Sequence, residues 1–255
     1  MEKSFQMDNL FIHVYGQTKE MGAAAADYVQ GKLSAAILNR GAANLILATG
    51  ASQFAFLEAL QNKEIDWGKI TVFHLDEYKG ISEAHPASFR RYLKERILNR
   101  VAPKKIFFLN GDAANLQMEI KNYEKALETN PIDIACIGIG ENGHIAFNDP
   151  AVADFKDPKL VKVVELDEAC RNQQLGEGWF PTYADVPKEA VTLTITAIMN
   201  CKAISCVVPD QRKAQAVYNT LYGDIGTFCP ASILRTHPET VLFLDKESAS
   251  MIKSR

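Results

Sequence analysis

A run of β-branched and apolar residues from Ile132 to Ile139 constrains the fold of this chain more than any other stretch. The run predicts a buried strand, and Gly138 and Gly140 at its far end predict a tight turn. Glycine accepts positive φ and lets the backbone approach a ligand closely. Open α/β sheets place their binding sites at the carboxyl ends of strands, so the residues directly after this turn are candidates for function.

Four polar candidates follow the turn closely: Asn142, His144, Asn148 and Asp149. An imidazole titrates near neutral pH, which suits proton transfer. A purely structural histidine is the alternative that these residues alone leave open. The G-x-G-x-x-G spacing of residues 138–143 is weak evidence for dinucleotide binding by itself, because this turn comes in the middle of the chain.

Strand-like and helix-like segments alternate along the rest of the chain. The strand-like runs lie at 10–15, 44–48, 70–75, 105–109, 160–166, 191–195, 203–208 and 241–244. The helix-like segments lie at 18–39, 53–61, 85–100, 115–128 and 210–222. This alternation predicts an α/β fold with a largely parallel sheet flanked by helices, in a single domain.

A turn of small residues follows the strand at 44–48: Thr49, Gly50, Ala51 and Ser52. A strand, a small-residue turn and a helix together place free backbone N–H groups around an anion, so this turn is a candidate for phosphate binding. The alternative is structural, with Ser52 as the N-cap of the following helix.

Two adjacent carboxylates, Asp76 and Glu77, follow the strand at 70–75. Such a pair is expensive to bury and common in active sites, although a solvated loop would also explain it. A different kind of segment runs from Arg171 to Asp185, which has no clear period and contains several glycine and proline residues. We therefore expect a lid around 151–187.

Composition limits the classes of function. The net charge of −3 over 255 residues gives no basic footprint for nucleic acid. No apolar stretch is long enough for a signal peptide or a membrane span, so we expect a cytoplasmic protein without membrane contacts. The five cysteines lack CxxC spacing, which favours buried free thiols over zinc or disulfides.

Several motifs together resemble one family. LATGAS at 47–52, HLDEYKGI and HPASF within 74–89, GIGENGHIAFNDP at 138–150 and, more weakly, VVPDQRKAQAV at 207–217 are similar to the glucosamine-6-phosphate deaminase (isomerase) family, in its order. The resemblance implies a modified Rossmann-like fold, shared with 6-phosphogluconolactonases. It also implies conversion of glucosamine 6-phosphate to fructose 6-phosphate and ammonia, without metal or organic cofactor. We expect a hydrolase and isomerase of amino-sugar catabolism, acting on a small sugar phosphate.

The resemblance also assigns roles. Asp76 would be the base that moves a proton between C2 and C1, His144 would assist opening of the sugar ring, and Asp149 would hold the imidazole. Thr49, Gly50, Ala51 and Ser52, with Gly143, would contact the phosphate or the hydroxyl groups. Lys213 and, from the lid, Arg171 would bind the phosphate.

This chain departs from the family pattern at three places. Asn142 replaces an aspartate and brings no charge, so we expect a weaker acid-limb dependence or a slower ring-opening step. Asp149 replaces a glutamate and is one methylene shorter. The stretch after Pro150, AVADFKDPKLVK, lacks the pattern that binds an allosteric sugar phosphate in many bacterial deaminases, so we expect no such activation.

Three alternative functions stay open. The first is a galactosamine-6-phosphate deaminase or isomerase, and the second is a 6-phosphogluconolactonase, which Tyr78 and His85 disfavour. The third is a protein that binds a sugar phosphate without converting it, and Asn142 would indicate such a protein. Members of the family range from monomers to hexamers, so a homo-oligomer is compatible with the resemblance.

Overall fold

The computed structural model describes residues 1–253, and this part of the chain forms eleven strands and eight α-helices. The strands are β1 (Lys3–Met7), β2 (Leu10–Tyr15), β3 (Ala43–Leu47), β4 (Ile70–His74), β5 (Asp76–Tyr78), β6 (Lys105–Ile106), β7 (Ile134–Ile137), β8 (Val161–Glu165), β9 (Glu189–Leu193), β10 (Ile204–Val208) and β11 (Thr240–Asp245). The helices are α1 (Thr18–Arg40), α2 (Phe54–Leu60), α3 (Phe89–Leu93), α4 (Asn99–Val101), α5 (Leu116–Thr129), α6 (Glu168–Gly176), α7 (Ile195–Met199) and α8 (Ala214–Tyr222).

The main sheet has eight strands in the order β1-β2-β11-β10-β7-β3-β4-β6. All neighbours are parallel except β1 and β2, which form an antiparallel hairpin at one edge. The predicted α/β fold with a largely parallel sheet flanked by helices is confirmed. None of the helices in residues 1–253 combines the length and hydrophobicity needed to cross a membrane.

The central strands are apolar because helices cover both faces of the sheet. Every residue of β3, β7 and β10 is buried, as expected for parallel strands inside an α/β fold. On one face Met21, Val29 and Leu33 of α1 pack into the core. On the other face Ile120 of α5 and Val217 of α8 do the same.

A second, antiparallel sheet of three strands, in the order β5-β9-β8, was not expected from the sequence. Its strand β5 has only three residues and follows β4 after a single residue, so no separate strand is visible in the pattern. Asp76 pairs with Thr192 and Tyr78 with Ala190 in this sheet. The pairing fixes the backbone of Asp76 at the end of β4.

The helix expected at 85–100 begins later, at Phe89. The carboxylate of Glu77 accepts the backbone N–H groups of Phe89 and Arg90, and Ser88 caps the helix by accepting the N–H of Arg91. These contacts set the start of α3, and a π turn at Lys94–Leu98 then joins it to α4.

The segment expected to be irregular from 171 begins inside a helix, α6. Asp167 caps this helix by accepting the N–H of Cys170 across 2.7 Å. Only Cys170 and Gln174 of the helix are buried, which explains why the sequence shows no apolar period there.

Candidate active site

A cavity of about 350 Å³ opens at the carboxyl ends of the central strands. It lies where β7 sits between β3 and β10, so the strand order reverses there. Most of the residues predicted from the sequence line it, namely Thr49, Gly50, Ala51, Ser52, Asp76, His144 and Lys213. Three others, Asn142, Gly143 and Asp149, lie behind this lining.

Asp76 presents a carboxylate that is only 6% exposed. Burial and then the charge of Glu77 raise its pKa well above the ordinary value. Among residues 1–253, no group donates a hydrogen bond to this carboxylate. A desolvated, unpaired carboxylate at a fixed strand end is suited to accept a proton from a substrate.

Glu77, beside it, is fully buried and serves as an anchor. Its Oε2 accepts hydrogen bonds from Ser88 Oγ at 2.8 Å and from Arg90 Nε at 3.2 Å. Burial raises the pKa of Glu77, and hydrogen bonds from the backbone N–H groups of Arg90, Phe89 and Tyr78 and from the Ser88 hydroxyl oppose that shift. The solvated-loop alternative for this pair of carboxylates is therefore wrong.

His144 and Asp149 form a buried pair at the end of the turn. Nδ1 of His144 lies 2.8 Å from Oδ1 of Asp149. Burial raises the pKa of Asp149, but contacts from His144, Asn142 and Cys170 outweigh burial and lower the pKa overall. Asp149 is thus held as a carboxylate beside the imidazole of His144, which lines the cavity.

Asn142 lies between two carboxylates. Its Nδ2 donates to Oδ1 of Asp149 at 3.0 Å and to Oδ2 of Asp167 at 3.4 Å. Its Oδ1 accepts the backbone N–H of His144 at 3.0 Å. An asparagine at this position therefore links the histidine pair to the N-terminus of α6.

Two glycines of the turn are required by close contacts. A β-carbon on Gly140 would lie 2.2 Å from Cε1 and Nε2 of His144, so only glycine leaves room for the imidazole. Gly143 has φ of 86°, and a β-carbon there would lie 2.8 Å from Sγ of Cys229. Gly143 shapes the turn and does not line the cavity.

The small-residue turn after β3 forms another part of the cavity wall. Gly50 has φ of 93°, which favours glycine. The carbonyl of Gly50 accepts a hydrogen bond from the hydroxyl of Tyr92 at 2.8 Å, and Ser52 Oγ accepts one from Gln53 Nε2 at 3.0 Å. Ser52 is not the N-cap of the helix, so the structural alternative is wrong.

Lys213 brings a positive charge to this wall. Its side chain is buried, and Nζ lies 3.9 Å from Oε1 of Glu141. Burial lowers the pKa of Lys213, and the carboxylates of Glu177 and Glu141 oppose that shift. Arg212 lines the same cavity and pairs with Asp210 at 2.8 Å.

The structure does not place Arg171 in the lining of the cavity, so its expected contact with a phosphate stays a prediction. Its guanidinium donates to the backbone carbonyls of Tyr183 and Val186, each at 2.9 Å. It also stacks over the ring of Tyr183, 4.0 Å from the centroid. Arg171 therefore ties α6 to the end of its own segment.

Several lining residues were not singled out from the sequence, namely Gln173, Gln174, Glu177, Arg212 and Asp245. Asp245 ends β11, so the rule that sites lie at strand ends could have identified it. Gln174 accepts a hydrogen bond from the hydroxyl of Tyr78 at 2.6 Å. The residues of α6 carry no local signal of this kind.

One group of donors suited to a metal occurs in residues 1–253. Ligand atoms of His144, Asp149 and Cys170 all lie within 4.8 Å of one another. Burial, then the charges of Asp149 and Asp167, raise the pKa of the Cys170 thiol. A protonated thiol is a poor metal ligand. All five cysteines are free and buried, as expected.

An open α/β sheet with a buried carboxylate, a histidine–aspartate pair and a lysine beside a glycine turn defines a protein that can bind a small anion and move protons on it. A sequence profile of the family described as glucosamine-6-phosphate isomerases/6-phosphogluconolactonase matches residues 16–243. The chain belongs to this family.

Curated relatives agree with that assignment. A glucosamine-6-phosphate deaminase of Listeria monocytogenes is 36% identical over 206 residues, which cover 81% of this chain and 86% of the relative. One of Bacillus cereus is 34% identical over 205 residues, covering 80% and 76%. Because these relatives are named deaminases, the expectation of a hydrolase is wrong, whereas an isomerase of amino-sugar metabolism is supported.

Solved structures show the same fold. A monomeric glucosamine-6-phosphate deaminase superimposes with a TM-score of 0.85 at 31% identity, covering 94% of this chain and 99% of that one. A 6-phosphogluconolactonase of Shewanella baltica superimposes with a TM-score of 0.75 at 18% identity, covering 92% and 96%. The second similarity concerns the fold alone.

Proposed function

We propose that this protein converts glucosamine 6-phosphate to fructose 6-phosphate and ammonia. The proposal rests on the set of residues that line one cavity. The unpaired carboxylate of Asp76 and the imidazole of His144 face it together with Lys213 and the Thr49–Ser52 turn. Proton-transfer groups and an anion-binding wall are what an aldose–ketose isomerisation of a sugar phosphate requires.

His144 acts first, on the ring oxygen. Opening the pyranose requires a proton to leave the C1 hydroxyl and another to reach the ring oxygen, and an imidazole does either near neutral pH. Asp149, 2.8 Å from Nδ1, fixes the orientation of the ring. The open-chain amino aldehyde is the product of this step.

Asp76 then moves a proton from C2 to C1. Removal of the C2 proton, with protonation of the C1 oxygen, gives an enolamine, and return of the C2 proton to C1, with loss of one N–H proton, gives a ketimine at C2. A water molecule replaces nitrogen at C2 and ammonia leaves, so the sum is amino sugar plus water to ketose plus ammonia. The raised pKa of Asp76 makes this carboxylate a stronger base than an exposed aspartate.

The phosphate would be held at the other wall, by the Thr49–Ser52 turn and Lys213. Binding energy gained there positions C1 and C2 against Asp76. A sugar phosphate is preferred over other anions because the cavity combines this anion-binding wall with polar groups such as Gln173 and Gln174 that can meet hydroxyl groups.

The test is an assay on glucosamine 6-phosphate that measures ammonia and fructose 6-phosphate together. Galactosamine 6-phosphate and 6-phosphogluconolactone run in parallel. Asp76→Asn is the inactive comparison, and Asp224→Asn, at an exposed position, is the matched control. Equal amounts of both products from the glucosamine epimer, lost only in the Asp76 variant, would support the proposal.

The other outcomes assign a different function. Turnover of the galactosamine epimer alone would replace the substrate while retaining the chemistry. Lactone hydrolysis alone would contradict the proposed reaction. Binding of a sugar phosphate without any product would favour a ligand-binding protein.

A further inference from the structure

The carboxylate of Glu177 lies in the part of the cavity that the proposed function assigns to the phosphate. Glu177 follows the last turn of α6, inside the predicted lid at 151–187. A β-carbon added to Gly50 would lie 3.9 Å from Oε2 of Glu177. The carboxylate therefore reaches the glycine of the Thr49–Ser52 turn, although it comes from a distant part of the chain.

Two hydrogen bonds fix this carboxylate in place. Nε2 of Gln173 donates to Oε1 at 2.9 Å, and Nε1 of Trp179 donates to Oε2 at 3.0 Å. Both donors belong to the same segment as Glu177, so the carboxylate is held against the end of α6. Gln174 of that helix is in turn held by the hydroxyl of Tyr78.

Glu177 makes no ion pair within 4 Å in the part of the chain that is described, yet it lines the same cavity as the buried Lys213 and opposes the lowering of that lysine's pKa. Lys213 has Glu141 at 3.9 Å as its nearest acidic partner. The positive wall is thus flanked by two carboxylates from different loops. A carboxylate in an anion site competes with an incoming anion for the same cation and repels it.

We propose that Glu177 competes with the substrate phosphate for Lys213 and the Thr49–Ser52 turn and so sets the affinity of the site for the phosphate. This inference rests on the proposed function, because it takes the phosphate to bind at that wall. An incoming phosphate must displace the carboxylate from Lys213 and the turn.

The test is to titrate the wild type, Glu177→Gln and Glu168→Gln with inorganic phosphate in a calorimeter and to compare their affinities for phosphate. Glu168 is the matched control, since it lies exposed in the first turn of the same helix. We expect Glu177→Gln to bind phosphate about five- to tenfold more tightly, since a repelling charge is removed from a partly buried site. The control should match the wild type.

Steady-state kinetics give a second readout that a structural role would not reproduce. KM for glucosamine 6-phosphate should fall in Glu177→Gln by the same factor, with kcat within about twofold of the wild type. Glu177→Asp keeps the charge on a shorter stem and should fall between the two. Unchanged or weaker phosphate binding by Glu177→Gln would overturn the inference.

The two proposals can fail separately. Tighter phosphate binding by the variant without release of ammonia from any amino sugar would contradict the proposed reaction and support the role of Glu177. Normal deamination by the wild type, with the same phosphate affinity in Glu177→Gln as in the wild type, would support the proposed reaction and contradict the role of Glu177.

Discussion

Nδ2 of Asn142 donates a hydrogen bond to Oδ1 of Asp149 across 3.0 Å, and the same oxygen lies 2.8 Å from Nδ1 of His144. The amide reaches Asp167 at 3.4 Å on its other side. One neutral side chain thereby separates two carboxylates, orients the histidine pair and joins it to the cap of α6. This arrangement explains why an amide can stand where the family pattern has an acid.

Replacing Asn142 by aspartate should destabilise the protein at neutral pH. A third carboxylate would face Asp149 and Asp167 without a donor between them, which we expect to cost about 1–3 kcal/mol. The loss should shrink as the pH falls and the carboxylates protonate. Thermal unfolding of Asn142→Asp at pH 5 and pH 8 measures this difference.

The double variant Asn142→Asp with Asp167→Asn is the control. An asparagine caps a helix as well as an aspartate does, so the double variant should regain most of the lost stability. Its pH–rate profile then tests whether Asn142 slows ring opening. If Asn142→Asp is as stable as the wild type at both pH values, the hydrogen bonds of the Asn142 amide do not contribute to stability.

The raised pKa of Asp76 should appear in the pH dependence of the reaction. Burial and Glu77 raise it above the ordinary value of 3.8, and a base must be ionised to accept a proton. The acid limb of kcat/KM should therefore lie at a higher pH than an ordinary aspartate gives. An acid limb at or below pH 4 would contradict the role of Asp76 as the base.

Asp76 should also lower the stability of the wild type at neutral pH. The folded state binds the proton more tightly than the unfolded state, so unfolding free energy falls as the pH rises from about 3.8 through the raised pKa. Asp76→Asn removes this loss. We expect the variant to melt at a higher temperature than the wild type at pH 7.5 and at the same temperature below about pH 4. A less stable variant at pH 7.5 would count against an unpaired ionised carboxylate.

Local sequence predicted the main sheet and most of the cavity wall for one physical reason. Apolar runs such as Ile134–Ile137 are buried on both faces, and the turns that follow parallel strands meet at one edge of a sheet. Asp76, His144 and the Thr49–Ser52 turn each follow such a run. Their convergence on one cavity therefore needed no knowledge of the tertiary packing.

The contacts of α6 could not be predicted in this way. The positions of Arg171, Glu177 and Asp167 depend on how a mostly polar helix of nine residues packs over the cavity. The sequence carried neither an apolar period nor a strand end to place them. For the same reason the sequence predicts the change of charge at Asn142 but does not predict the contact of Asn142 with Asp167.

Lys213 and Arg171 should respond differently to the same substitution. Lys213→Met removes the buried charge of the anion-binding wall, so KM for the sugar phosphate should rise at least about tenfold. Arg171→Met removes two hydrogen bonds to the carbonyls of Tyr183 and Val186. It should lower the melting temperature and leave KM within about twofold. A larger rise of KM in the Arg171 variant would mean that this arginine reaches the substrate after all.

Gly140→Ala should reduce kcat more than alanine at the other glycines of the turn, Gly138 and Gly143. The added β-carbon would lie 2.2 Å from the imidazole of His144, so the ring must leave its place beside the cavity. Misplacing an acid–base group commonly costs about a hundredfold in rate, and KM should change little because the phosphate wall is untouched. Gly176→Ala is the matched control, since nothing lies within 4 Å of a β-carbon there, at the end of α6. A Gly140→Ala enzyme with wild-type kcat would show that the position of His144 does not limit the reaction.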